Sequence, residues 1–395
     1  MRGVGTGTLC DRFRLSVAAL CLLAGCIQPG SVRSAQQPSS ASATNTSGAL
    51  EIWRGIAEAP IPSAGGLAAA WTGRQLIVWG GVAADGHAQA QDGAAYDPAS
   101  DAWERLPAAP IAGRFAATAV WTGREVLFWG GQSGPATIFA DGAAYDPVTR
   151  RWRVLPASPI GPRTSHQAVW TGTEMIVWGG FGRCCPDNSV IHDPGAAAYD
   201  PATDRWRRIA DVPPPWSGDD GTAVTIADGG RALIWRDGRL TGYDAAAPHQ
   251  WREIAVVLPP PVSGDPALPS TTTDSFALAA VSDHEVFLWT GRSGALQGLA
   301  RRASDGTWRR TATLEAQAGA TLAAGPSGRI FATAGQSARV LEYRIAEDRW
   351  HELPLPPVTT RSAAVLVWTG SELLFWGGIG DESPEMDGAA WRPGG

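Results

Sequence analysis

Little in these 395 residues reads as helix, little is charged, and almost nothing is cysteine. Charged side chains make up 18% of the chain, and 32 basic residues stand against 38 acidic ones. That balance leaves no basic field to hold a nucleic acid. The apolar run Leu15 to Leu23 is too short to cross a bilayer as a helix. No nucleophile elbow, phosphate loop or pair of metal histidines occurs, so the motif-bearing hydrolases, nucleotide enzymes and zinc enzymes have no foothold here. Of five cysteines, three (Cys10, Cys21, Cys26) fall within the first 26 residues, and the others, Cys184 and Cys185, are neighbours.

What the chain has instead is repetition. The phrase Trp71-Thr72-Gly73-Arg74-Gln75-Leu76-Ile77-Val78-Trp79-Gly80-Gly81 returns in near copies from Trp121, Trp170 and Trp368. A second phrase trails three of them: Tyr96-Asp97-Pro98 with Trp103, Tyr145-Asp146-Pro147 with Trp152, and Tyr199-Asp200-Pro201 with Trp206. Trp129 lies 50 residues after Trp79, and Trp178 lies 49 after Trp129. Each unit reads as β-branched and aromatic runs broken by Gly, Asp and Pro, which is strand and turn chemistry. A repeat of about 50 residues holding four short strands is the signature of a propeller blade.

The double glycine followed by a spaced Tyr and Trp resembles the Kelch motif. Gly80-Gly81, Tyr96 and Trp103 carry it, as do the sets beginning Gly130-Gly131 and Gly179-Gly180. The resemblance implies an all-β, seven-bladed propeller covering nearly everything beyond Ala49, and says hardly anything about activity. Degenerate copies supply the remaining blades: Ala232–Trp235 with Tyr243 and Trp251, Val286–Trp289 with Trp308, Ile330–Thr333 with Tyr343 and Trp350, and Leu373–Gly378. The last copy stops at Trp391 without its closing strand, whereas an orphan strand, Leu50-Glu51-Ile52-Trp53-Arg54, opens the repeat region. The ring is therefore expected to close by the first strand completing the last blade, which removes exposed sheet edges. The recurrent tryptophans are expected to pack between sheets.

Propeller loops sort onto two faces. The turns at Thr72-Gly73 and Asp97 to Asp101 are short, while the segments 82–91, 132–140, 181–193, 213–221, 258–274 and 379–387 are long. Long loops on a rigid frame are where binding is expected, although tolerated insertion gives the same pattern. Alignment on the inner strands puts Ala64, Arg114, Arg163, Asp220, Asp274, Ala318 and Arg361 at one level around the channel mouth on that face. Two readings of this ring stay open. An arginine trio suits a carboxylate, sulfate or phosphate through forked hydrogen bonds. Alternatively each arginine pairs with a neighbouring acid, such as Asp220 for Arg163, and only holds the ring together.

The Kelch resemblance also raises two enzyme groups. Copper oxidases of the galactose oxidase type need tyrosine and histidine ligands with a cross-linked Cys–Tyr pair. All five tyrosines here (Tyr96, Tyr145, Tyr199, Tyr243, Tyr343) occupy the Kelch structural position, which leaves none for a radical site. No catalytic motif matches the sialic-acid mutarotases. Cys184, Cys185, Asp187, His192 and Asp193 share one loop, but their spacing fits no zinc pattern. His166 lies near the top of the third inner strand as a hydrogen-bonded residue or a ligand contact. Neighbouring Cα atoms about 3.8 Å apart sit below the usual disulfide range of about 4.4 Å upward, so a Cys184–Cys185 bridge is strained yet attainable.

The start of the chain reads as a targeting segment. A basic stretch ending Arg12-Phe13-Arg14 precedes the apolar run, which ends Leu23-Ala24-Gly25-Cys26. This resembles a bacterial lipobox, which implies a signal peptide over residues 1–25 and lipid on Cys26. Residues 26–48, rich in Ser, Ala, Gln, Thr and Pro, read as a flexible tether with a reach of roughly 25 Å. The propeller is expected over 49–395. The expectation is an exported, lipid-anchored binding or scaffold module, monomeric, without cofactor, metal or catalytic site, touching the membrane only through its anchor. Its ligand, a protein or a glycan, would sit on the long-loop face, with Arg114, Arg163, Arg361, Asp220, Asp274, His166, Cys184 and Cys185 as candidate contacts. The alternative is a carbohydrate-active or isomerising enzyme using the charged mouth.

Overall fold

In blades 1, 2, 3 and 7 a hydrophobic run of four residues pairs with the run before it across a Thr-Gly turn. The computed structural model describes residues 52–83, 90–134, 137–184, 189–192, 195–213, 224–228, 230–236, 239–245, 250–256, 275–282, 285–292, 294–302, 305–380 and 384–393. Within these, seven four-stranded antiparallel sheets follow one another. Blade 1 runs Ala68–Trp71, Leu76–Trp79, Gly93–Asp97 and Ala102–Arg105 from the inside outward. Blade 2 repeats this with Thr118–Trp121, Val126–Trp129, Gly142–Asp146 and Arg151–Val154, and blade 3 with Gln167–Trp170, Met175–Trp178, Ala196–Asp200 and Arg205–Ile209. Blades 4, 5 and 6 have inner strands Val224–Asp228, Ser275–Ser282 and Leu322–Ala324 and outer strands Trp251–Ile254, Trp308–Leu314 and Arg349–Glu352. The chain is a seven-bladed β-propeller.

Blade 7 confirms the expected closure. Its strands Val365–Trp368, Leu373–Trp376 and Gly388–Trp391 are completed by Trp53–Gly55, with Trp53 opposite Trp391 and Gly55 opposite Ala389. Trp53 is buried, and its Nε1 donates to the Pro354 carbonyl of blade 6 at 2.6 Å. The first and last strands of the ring are thus tied together by backbone pairing, a buried indole and an inter-blade hydrogen bond.

The core is a ring of seams. Seven hydrophobic clusters lie one between each neighbouring pair of blades. The second-strand tryptophans Trp79, Trp129, Trp178, Trp289 and Trp376 are nearly inaccessible, so the packing role read from their recurrence holds for this set. Burying a large apolar side chain stabilises by roughly 1.5–3 kcal/mol, and here that gain is repeated seam by seam. The double glycines end the second strands. At Gly80-Gly81 and Gly130-Gly131 both φ angles are positive, a region closed to most side chains. The second glycine of each pair then donates across the seam: Gly81 N to the Arg114 carbonyl at 2.8 Å, Gly131 N to the Arg163 carbonyl at 2.9 Å.

The long loops differ from the open segments the sequence suggested. Ser63–Gly65 pairs with Val82–Ala83, Gln132–Ser133 with Thr137–Ile138, and Phe181–Cys184 with Ser189–His192. Small ribbons therefore stand on the long-loop face over blades 1 to 3.

Candidate functional site

The arginines expected at the channel mouth are inside the wall. Arg114, Arg163 and Arg361 are 1%, 1% and 2% exposed. Arg114 donates through Nη1 to Asp141 Oδ1 at 2.7 Å and to the Gly130 carbonyl at 3.2 Å, and through Nε to the Ala112 carbonyl at 2.9 Å. Its guanidinium also lies 3.8 Å from the centre of the Phe139 ring. Arg361 repeats the arrangement with Asp387 Oδ1 at 2.7 Å and the Thr359 and Gly377 carbonyls. Arg163 meets three carbonyls, those of Gly161, Gly179 and Gly195. A forked cation surrounded this way satisfies the carbonyls left unpaired where the double glycine leaves the sheet. The geometry therefore answers to the ring-holding reading, and an open anion-binding trio does not form. Asp141 and Asp387, the acids of Arg114 and Arg361, belong to the same blade as their arginine rather than to the next one, as had been expected.

His166 is likewise structural in its surroundings. It is buried, its Nε2 lies 2.8 Å from Thr118 Oγ1 on the neighbouring inner strand, and its ring meets Trp129 edge-on at 5.0 Å. Burial, and then the nearby Arg163 charge, push its pKa down to about 3, so the ring is neutral at ordinary pH. Asp220, Asp274, Cys185 and Cys26, together with Asp187 and Asp193, lie outside the described residues. Of Cys184 and His192 only the backbone is described, at opposite ends of one ribbon: Cys184 pairs with Ser189, and Phe181 with His192. Among the described residues no group of three His, Cys, Asp or Glu side chains is placed to hold a metal.

The other strongly perturbed groups also join blades. Arg153 on the outer strand of blade 2 donates to Glu125 at 2.7 Å in its own blade. In blade 3 it reaches the Tyr199 hydroxyl and Asp204, each at 2.9 Å. Tyr199 Oη donates to Asp204 at 2.6 Å. Burial, reinforced by that bond, holds the phenol well above its usual pKa. Arg54 does the same from blade 7 to blade 1, linking the fully buried Glu372 to Asp101, which in turn accepts from Tyr96. Arg207 bridges Glu174 and Tyr243 between blades 3 and 4. Between blades 1 and 2 the signs are exchanged: Glu104 stands where the arginine would be, and it pairs with Arg150, which replaces the aspartate. The chain contains no lysine, and planar guanidinium forks serve every one of these bridges.

One set of residues departs from the packing expected of all the tryptophans. Trp71, Trp121, Trp170 and Trp368 close the inner strands at the short-turn end, opposite Leu76, Val126, Met175 and Leu373. They are only partly buried. The sequence put them with the other tryptophans because nothing in a period distinguishes a seam position from a channel-mouth position.

Residues 66–239 match the family model described as the KLHDC2/KLHL20/DRC7 Kelch-repeats domain. That match spans less than half of the chain and shows Kelch repeats over residues 66–239, where the Gly-Gly, Tyr and Trp positions recur in blades 1 to 3. The fold is a seven-bladed propeller with Kelch repeats over that span. No curated protein matches the chain by sequence. Among solved structures, the propeller is similar to a fungal alcohol oxidase of the AA5 family in complex with copper. That likeness has a TM-score of 0.64 and 14% identity, over 87% of this chain and 76% of the oxidase. It is also similar to the structure of YjhT, with a TM-score of 0.49 and 16% identity over 84% of this chain and 95% of the other. The likeness to the oxidase, at 14% identity, speaks to the fold alone.

Proposed function

We propose that this propeller is a non-catalytic binding or scaffold module, exported in a bacterium and held at a membrane by lipid on Cys26, with residues 26–48 as its tether. The observation that carries the reading is the pairing of the long loops over blades 1 to 3 into ribbons on one face of a closed ring. Ribbons anchored by their own hydrogen bonds present side chains at low entropic cost, which suits recognition of a protein or glycan. The ionisable groups with shifted pKa values support it too, since Tyr96, Tyr199, Tyr343, Arg153 and His166 are engaged between blades rather than gathered in a cleft.

The oxidase likeness suggests a copper enzyme as the rival, and the residues do not fit one. All five tyrosines lie on third strands between blades, and those of Tyr96, Tyr199 and Tyr343 donate to Asp101, Asp204 and Asp348 at 2.6 Å. The testing experiment has two arms. Cys26→Ser should move the protein out of the membrane fraction or leave it unprocessed, and retention after a salt wash sinks the anchor. A glycan and peptide array probed with the chain from Ala49 should give saturable binding. Turnover of primary alcohols with copper and dioxygen, in place of binding, would make the enzyme reading correct.

A further inference from the structure

We infer that the short-turn mouth of the channel is a binding site for a neutral oligosaccharide, built by the indoles of Trp71, Trp121, Trp170 and Trp368. This site lies on the face opposite the ribbons and does not depend on what they bind. The strand registers place one residue from each blade at the same level around the axis. In order from blade 7 these are Trp368, Trp71, Trp121, Trp170, Ala227, Val281 and Ala324. Four consecutive blades thus carry an indole and the other three carry a small side chain. The ring closes equally well on both arcs, so closure at this level does not require tryptophan.

The polar atoms of these indoles separate them from the rest. Second-strand and outer-strand tryptophans spend Nε1 on protein carbonyls, as Trp79 does on Gln91, Trp103 on Ala57 and Trp376 on Met386. Others, such as Trp206 and Trp350, bury it. Among the described residues, the four inner-strand indoles meet no protein acceptor and are not among the buried unsatisfied groups. Their N–H groups are therefore open to water, while their ring bodies rest against the seam clusters, as Trp71 does beside Val365 and Val367. Each is held at its back and wet at its edge.

An arc of flat apolar rings with outward N–H donors suits one ligand chemistry. A β-1,4-linked pyranose chain carries axial C–H groups on its ring faces and acceptor hydroxyls on its rim, so it can lie on the indoles and take their hydrogen bonds. The hydroxyls just below the indoles, those of Thr72, Thr122, Thr171 and Thr369, are already committed to the carbonyls of Gln75, Glu125, Glu174 and Glu372. No charged residue occupies the indole level in any blade, which favours a neutral ligand over an ionic one.

The test uses the full chain labelled with 5-fluorotryptophan and titrated with hexamers of β-1,4-linked glucose and of β-1,4-linked N-acetylglucosamine, followed by fluorine NMR. Resonances are assigned by the single variants Trp71→Phe, Trp121→Phe, Trp170→Phe and Trp368→Phe. The expected result is saturable movement of these four signals and no others. Each Phe variant should weaken binding by roughly two- to tenfold, the range of one lost aromatic contact, while keeping a single cooperative melt. Arg339→Gln, in an exposed pair with Glu352 on the long-loop side, should bind as the parent does. Four unmoved signals at millimolar hexamer overturn the inference. So does movement confined to other tryptophans, or a shift that follows protein concentration and marks a second copy as the occupant.

Discussion

Blades 1 to 3 and blades 4 and 5 meet the same packing demand with different turns. In blades 1 to 3 the second strand has four residues and stops at a double glycine, which turns outward into a ribbon. In blade 5 the corresponding Trp289 is followed by Thr290 and Gly291, and the strand runs on to Arg292 before a tight hairpin to Ala295. Its first three strands have eight residues each. Blade 4 is intermediate, with second and third strands of six residues joined across Arg236 and Arg239. Blades 2, 3 and 7 carry both the double glycine and a buried arginine, and Arg114, Arg163 and Arg361 all donate to the first of those glycines. Blade 1 keeps Gly80-Gly81 and its ribbon with Ala64 at the arginine position, so the double glycine does not require the cation.

The largest expected effect comes from removing the closure that both kinds of blade share. Deleting residues 49–56 takes away Trp53 and leaves the fully buried Glu372 with Arg392 as its remaining ion-pair partner. That loss of one of two partners comes on top of the buried indole and the whole outer strand of blade 7, each of which the ring needs to close. Thermal melts should show a collapse of the whole transition, whereas deleting 27–46 should leave the melt in place. Equal melting temperatures for the two truncations would break the closure account.

The next test contrasts two glycines of similar φ. A Cβ at Gly131 (φ +92°) would stand 2.7 Å from the Phe115 carbonyl oxygen, whereas one at Gly294 (φ +102°) meets nothing within 4 Å. Gly131→Ala should cost roughly 2–4 kcal/mol and Gly294→Ala about 1–2 kcal/mol, the strain of the left-handed backbone alone. Denaturant midpoints measure both. Equal losses would mean that the double glycine serves only its backbone angle and not the close crossing between blades.

His166 gives a pH-dependent version of the same contrast. Its folded pKa is depressed to about 3 from the usual histidine value of 6.5, so the unfolded chain binds the proton first. Its contribution is fully present above pH 6.5 and is lost as pH falls towards 3, amounting to on the order of a few kcal/mol. The stability gap between the parent and His166→Gln should narrow between pH 7 and pH 4. A constant gap would assign the site to shape rather than charge.

The smallest effect belongs to the exchanged pair between blades 1 and 2. Glu104→Arg alone and Arg150→Asp alone should each cost up to about 1 kcal/mol, and the double variant should recover most of it. Failure of the double variant to recover would mean that this seam does not depend on the pair. A double-mutant cycle read by urea midpoints decides it.

Much of this was legible beforehand. The blade count, the seam role of the second-strand tryptophans, the closing strand at Trp53 and the level of Arg114, Arg163 and Arg361 all follow from a period and a register. Whether those arginines faced the channel or the wall was not legible, because a repeat alignment fixes height around the axis and leaves radial direction open. The ribbons were missed because Phe181–Cys184 and Ser189–His192 pair only with each other and carry no period of their own. The four half-buried indoles were missed for the opposite reason, since recurrence made them look like all the others.

The sequence by itself determined a ring. Self-similar units with one hydrophobic face cannot bury it alone, and stacking them around an axis is the solution that leaves no edge. Only the tertiary structure decided which side chains the ring consumes and which it leaves to the solvent. Arg163 and Trp170 stand seven residues apart in the same repeat. One guanidinium is enclosed by three carbonyls, and one indole keeps its N–H in water. That difference arises from what each side chain meets: the double-glycine turn offers Arg163 bare carbonyls, whereas among the described residues no acceptor from either neighbouring blade reaches the Trp170 N–H.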